Sequence, residues 1–337
     1  MTRHMLTALA LLSTALVAAC GGSDLPAGGG DDPGELVVYS GREEELIQPF
    51  FDEFADKTGV EVQVKYGDTP DLVATVLEEG DRTQADVFVG QDAAGLDKLR
   101  EQGLLQPYDQ IARTPAAYRA ADKSWTGLSG RVRVLIVGDG VEPPKSAFDL
   151  VDARFKGEIA APKASNVSFR DWVSAIRLER GDAFARDYLE GLERNELELL
   201  DGHGEVRKAV GEGEFDIGLV NHYYVELSKR EGAKVDAAYT DQGKGEFGVP
   251  FNVASAGITK SAQNAANARK LVDFLLTPAV QRRFAANNYE YPLLDGLEPA
   301  PGVRPLDELE LTGVPLARLA AAADGTDRLL DQVDLGS

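Results

Sequence analysis

The sequence predicts an α/β protein in which a largely parallel β-sheet is covered by helices. Three observations carry this: short apolar or alternating segments of strand character recur, segments with apolar residues at helical spacing separate them, and Gly- or Ser-containing turns join the two kinds. Leu36-Val37-Val38-Tyr39 reads as a strand ending at Ser40-Gly41. Leu46, Ile47, Phe50, Phe51 and Phe54 then fall on one helical face, with Glu43, Glu44 and Glu45 in the first turn, where the helix dipole favours anions, and Gly59 closing the end. Val60, Val62 and Val64 alternate with polar residues as a strand does. Leu72, Val73, Val76 and Leu77 mark a second helix stopped by Gly80, and Asp86-Val87-Phe88-Val89 is a third strand. In such sheets ligands bind at loops after the carboxyl ends of strands, which directs attention to Ser40–Glu43 and Gly90–Asp92.

The pattern continues through the second half. Arg133–Val137 and Gly157–Pro162 read as strands, and Ser168–Leu178 as a helix with Trp172, Ala175 and Ile176 inward. Phe215–Val220 is a short strand running directly into Asn221-His222-Tyr223-Tyr224, after which Val225, Leu227 and Ser228 take up helical spacing. Ala266–Phe284 is expected to be one long helix with an interruption at Thr277-Pro278. There is no internal repeat.

Composition bounds the function. The chain has 337 residues, 43% of them hydrophobic, which is enough for two domains with real cores and unlike a disordered chain. A formal net charge of −21 argues against a nucleic-acid partner, which needs Lys and Arg concentrated on one face. Three histidines disfavour multi-histidine catalysis, and one cysteine forbids an intramolecular disulfide. That cysteine has a different reading. Arg3 followed by the apolar Leu6–Val17 and by Val17-Ala18-Ala19-Cys20 has the form of a lipoprotein signal, with residues 1–19 removed and Cys20 lipidated. Residues 20–34, rich in Gly and Asp, then form a flexible tether, whose mean reach as a coil is roughly 20 Å. The remainder has no second long apolar run. The expectation is an exported body held to the outer face of the cell membrane by its lipid, or periplasmic.

Five short motifs allow a comparison: Val38-Tyr39-Ser40-Gly41; Glu78-Glu79-Gly80 followed by Ala85-Asp86-Val87-Phe88; Leu128-Ser129-Gly130-Arg131; Asn221-His222-Tyr223-Tyr224; and Glu290-Tyr291-Pro292-Leu293. In this order they resemble the periplasmic ferric-ion-binding proteins of ABC iron importers, over Glu35 to about Leu293. The resemblance implies the two-lobe (type II) periplasmic-binding-protein fold, each lobe a mostly parallel sheet flanked by helices and the two joined by hinge strands. It sets lobe one at 35–132 plus 256–300 and lobe two at 133–255 plus 301–337. It also implies a non-enzymatic, monomeric carrier that serves an ABC permease with a cytoplasmic ATPase.

The tyrosine pair has its own chemical argument. Fe(III) is a hard acid that prefers anionic oxygen, and a bound metal can ionise a phenol whose free pKa is near 10. Adjacent helical residues point about 100° apart, so Tyr223 and Tyr224 can share an ion only at an irregular strand-to-helix junction, where the strand ending at Val220 puts them. The resemblance implies a ligand after the first strand and another after the third. Glu43 and Gln91 stand there in place of the family's usual histidine and glutamate. Glu43 offers a carboxylate oxygen, or else serves only the helix dipole; Gln91 offers a neutral amide and is expected to support the ligands or stay uninvolved. Two phenolates and Glu43 would neutralise Fe(III), leaving water or a synergistic anion such as phosphate or carbonate to complete the shell. Candidates for that anion are Ser165, Asn166 and Ser168 at a helix N-terminus, where free N–H groups cradle anions, together with Asn221 and Arg131 by resemblance. Ordinary helix capping is an equal reading for Ser165, Asn166 and Ser168. His222 is expected at most to support the tyrosines; His203 reads as a lone exposed histidine, with an anion-loop position by resemblance as the alternative.

Three other readings stay open. The same fold could bind an oxyanion, phosphonate, thiamine or polyamine. An extracellular hydrolase is opposed by the absence of a Gly-x-Ser-x-Gly elbow and a His-Glu-x-x-His motif. A surface lipoprotein without transport is the third.

Overall fold

Strand β1 (Glu35–Ser40) forms at the first apolar run and buries Leu36, Val38, Tyr39 and Ser40. In this computed structural model residues 33–333 and Leu335 are described; the signal peptide, Cys20 and all but the last two residues of the tether lie outside them. Helix α1 (Glu44–Thr58) packs the five expected apolar residues inward, and Phe50 stacks on Phe284 with ring centres 4.2 Å apart. Gly59 ends it in the left-handed region, φ 73°, where glycine meets no Cβ penalty. There follow β2 (Glu61–Tyr66), α2 (Thr69–Glu79), β3 (Val87–Gly90), α3 (Ala93–Glu101) and a two-residue β4 (Leu105–Gln106). Strand β5 (Trp125–Gly138) is far longer than the Arg133–Val137 segment that local pattern picks out.

The second half runs β6 (Ile159–Pro162), α4 (Val167–Arg180), α5 (Asp182–Arg194), β7 (Glu198–Leu200), α6 (His203–Glu212), β8 (Ile217–Asn221), α7 (His222–Arg230), β9 (Val235–Ala238) and β10 (Phe251–Thr259). The expected long helix near the end is two helices, α8 (Ala265–Leu275) and α9 (Pro278–Asn288). The break is capped: Thr277 Oγ1 accepts the Val280 N–H at 3.4 Å, and Pro278, which has no N–H to lose, takes the first helical position. Helix α10 (Leu316–Leu330) packs on both α3 and α4.

The strands follow the path β2-β1-β3-β10-β5-β8-β6-β7, with β4 beside β10 and β9 beside β5. The parallel pairing expected from βα alternation is found at the two flanks, β2-β1-β3 and β8-β6-β7. The centre is antiparallel. Strand β5 pairs with β10 through residues 125–132, then turns to β8 and β9 from Arg133 onward. Strand β10 returns along β5 and β3, with a register shift between Ala254 and Ser255. The chain thus crosses between the two flanks on β5 and β10, and the ends of β1, β3 and β8 meet around that crossing.

Candidate functional site

Tyr223 and Tyr224 open α7 directly after β8, and their rings lie together, centres 4.5 Å apart at 39°. Both are buried, Tyr223 completely. The Tyr223 phenol oxygen accepts from Asn221 Nδ2 at 3.0 Å, and Gln91 Nε2 reaches it at 3.5 Å from the loop after β3. Residues from both sides of the crossing therefore meet at one phenol. Burial pushes the Tyr223 phenol above its ordinary pKa, against the pull of Arg131. Tyr224 is raised well above it by burial, then by Tyr223 and Glu43, with Arg42 opposing. Both phenols are therefore neutral near pH 7 unless a cation arrives.

Glu43 occupies the N-cap position of α1, but its side chain makes no capping bond; it is exposed and acts electrostatically on Tyr224. Its own carboxyl is raised by desolvation and by Asp68, with Glu205 adding to the effect from α6. The Gln91 backbone N–H donates to Thr69 Oγ1 at 3.0 Å, while its side-chain Oε1 is buried with no hydrogen-bond partner among the described residues. Among those residues no group of three or more His, Cys, Asp or Glu could hold a metal ion.

The five anion candidates separate. Arg131, Ser168 and Asn221 line one small cavity with Arg133, Asn252 and the acidic Asp171. Arg131 is buried with neither Nη bonded, and Asn221 Nδ2 also reaches Ser168 Oγ at 3.5 Å. Asn166 instead caps α4, its Oδ1 accepting the Ser168 N–H at 3.0 Å. Ser165 is exposed on a different cavity of about 1040 Å³ between α2–α3 and α4–α10. That larger space is lined by Asp92 and Asp171 and by neither tyrosine. Burial, then the neighbouring Asp92, pushes the Asp171 carboxyl up to about 7, with Arg131 and Arg133 opposing.

Arg42 escapes sequence reasoning. Its Nη2 donates to both Glu290 carboxylate oxygens at 2.9 and 3.0 Å, and its Nη1 to Ser129 Oγ at 3.1 Å. Ser129 in turn donates to Glu290 Oε1 at 2.9 Å, and both charged side chains are fully buried. The signal was present: Ser129 and Glu290 belong to two of the five motifs, but nothing local says that they close on the residue before Glu43. His203, expected at the surface, is instead buried on the Tyr224 ring at 5.0 Å with Nε2 3.4 Å from Arg133 Nη1, because it opens α6, which packs against β8 and α7.

Two flanking parallel sheets joined by antiparallel crossing strands, with polar side chains from both flanks meeting at the crossing, define a type II two-lobe periplasmic solute-binding protein. The chain belongs to the bacterial extracellular solute-binding protein family, whose profile matches residues 36–290. It is 28% identical to iron uptake protein A1 of Synechocystis, covering 96% of this chain and 94% of that one. It is 29% identical to the major ferric iron-binding protein of Neisseria meningitidis, covering 89% and 93%. Among solved structures, iron-bound HitA from Pseudomonas aeruginosa superposes with a TM-score of 0.81 at 28% identity, over 90% of this chain and 99% of that one. Among the described residues no helix is long and apolar enough to cross a membrane.

Proposed function

We propose that the protein captures Fe(III) between its lobes through Tyr223 and Tyr224 and delivers it, as a monomer, to an ABC permease powered by a cytoplasmic ATPase. Cys20 carries the lipid that keeps it at the membrane. The reading rests on the paired buried phenols at the β8–α7 junction, ring centres 4.5 Å apart, and is supported by the names of the relatives. Glu43 supplies a third anionic oxygen from the other lobe, and Gln91 supports the Tyr223 phenol. Arg131, Ser168 and Asn221 hold a synergistic anion such as phosphate or carbonate, to which the two unbonded Arg131 Nη atoms donate.

We draw the lobes at 35–132 with 256–300 and at 133–255 with 301–337, the hinge lying where β5 changes partner and where β10 shifts register. Closure is a population shift: metal bonds to both lobes exist only in the closed form, so the metal favours it. Loading ionises two phenols and releases their protons; release to the permease reverses both steps. No covalent chemistry is involved.

Adding ferric iron should produce a visible phenolate-to-iron charge-transfer band. Retention of that band and of affinity in the double variant Tyr223→Phe, Tyr224→Phe would show the assignment to be wrong. The two bare Nη atoms of Arg131 favour one second reading, an oxyanion bound alone. A colourless protein stabilised against heat by phosphate or sulfate and not by ferric iron would select it.

A further inference from the structure

His222, the residue before the tyrosines, has both ring nitrogens engaged by backbone. The Val132 N–H donates to Nδ1 at 3.3 Å, and Nε2 lies 2.8 Å from the Tyr289 carbonyl oxygen. A carbonyl only accepts, so Nε2 carries the hydrogen and Nδ1 is the bare nitrogen that Val132 requires. The ring stacks on Tyr291 with centres 4.5 Å apart and meets the Tyr223 ring edge-on at 5.7 Å.

The two anchors belong to one frame. Val132 is the last β5 residue paired with β10, at the point where β5 changes partner. Tyr289 ends α9 in the left-handed region, and Tyr291 exchanges backbone hydrogen bonds of 2.8 and 2.9 Å with Gly130. His222 is plugged into this frame from the start of α7. The usual device for fixing a helix start is missing: Asn221 stands at the N-cap, but its side chain makes no capping bond and its amide donates to Tyr223 and Ser168 instead.

We propose that His222 is the positioning residue of the tyrosine pair: by locking the first turn of α7 to the Val132 and Tyr289 backbone, it sets the direction in which Tyr223 presents its phenol. In respect of iron this rests on the proposed function; in respect of ring position it does not.

The test compares wild type with His222→Phe, which keeps the stack on Tyr291 and loses both bonds, and with His222→Asn and His222→Gln, which retain respectively the acceptor near Nδ1 and the donor near Nε2. Tyr291→Phe serves as the stability control, since it deletes the hydroxyl's 2.7 Å bond to the Arg304 carbonyl and its contact with the Tyr239 hydroxyl while keeping the ring that stacks on His222. The readouts are the carbon NMR shift of the Tyr223 phenol in metal-free protein, Tm, the energy of the ferric charge-transfer band, and affinity by chelator competition. His222→Phe should move the Tyr223 resonance, displace the band and weaken ferric binding by about 10- to 100-fold. The Asn and Gln variants should fall between, and they carry the test if His222→Phe does not fold. Tyr291→Phe should lower Tm with resonance and band unmoved. A wild-type resonance in His222→Phe, or an equal displacement in Tyr291→Phe at matched Tm loss, overturns the proposal. If wild type gives no band with ferric iron, the solute assignment fails, and the metal-free resonance still decides whether His222 positions the ring.

Discussion

Removing one phenol should change how ferric affinity depends on pH, beyond any change in its size. In the metal-free protein both phenols are raised above their ordinary pKa, chiefly by burial. Between about pH 6.5 and 8.5 each is therefore protonated before binding and, on the proposed function, ionised after it. Two protons leave per ion bound, so the association constant for free Fe(III) rises about 100-fold per pH unit, equivalent to about 2.7 kcal/mol. The sign is fixed by the direction of release: affinity climbs as pH rises and falls as pH drops. Tyr224→Phe leaves one phenol and a slope of about 10-fold per unit, and Tyr223→Phe does the same. The assay is competition against a chelator of known pH dependence, titrated at several pH values and expressed against free ferric ion. Slopes identical in wild type and both single variants would refute the reasoning, because the protons would then come from some other group.

Three further predictions concern the support of the site. Glu290→Gln leaves the fully buried Arg42 guanidinium without its counter-ion and should cost about 3–5 kcal/mol in denaturant unfolding, whereas the double change Arg42→Gln, Glu290→Gln should cost less than Glu290→Gln alone; equal losses would contradict this. Burial holds the His222 imidazole down to about 3, so the unfolded chain binds more protons between that value and 6.5, and this contribution to stability is present above 6.5 and lost on acidification. Relative to His222→Asn, wild type should lose about 1.4 kcal/mol per pH unit through that window, read from urea midpoints at each pH. A Cβ added at Gly41 would lie 2.9 Å from the Thr69 Cα, so Gly41→Ala should push the Arg42–Glu43 loop away from α2, cost about 1–3 kcal/mol and weaken ferric binding; an unchanged Tm would show that the loop yields freely.

Local periodicity by itself determines much of this protein. The faces of α1 and α2, the stop at Gly59, the strands at β1, β3 and β8, and a tyrosine pair placed where a strand meets a helix all follow from residues within one element of each other. Side-chain spacing reports which face of an element is buried, and little more. Strands β4, β7 and β9 are too short to show a period, and α3, α5, α6 and α10 pass unread beside stronger signals. The partner change within β5 is invisible too, because the half before Val132, Trp125–Arg131, carries Gly, Ser and Thr and shows no strand pattern, and its pairing with β10 depends on a segment more than 100 residues away. Arg42 reaches partners 87 and 248 residues away, His203 finds its burial under Tyr224, and His222 joins β5 to the end of α9. Buried charge and hydrogen-bond pairings of this kind depend on where the chain returns in space. Only the tertiary structure decides that, since bringing distant segments together depends on the whole core rather than on any local pattern.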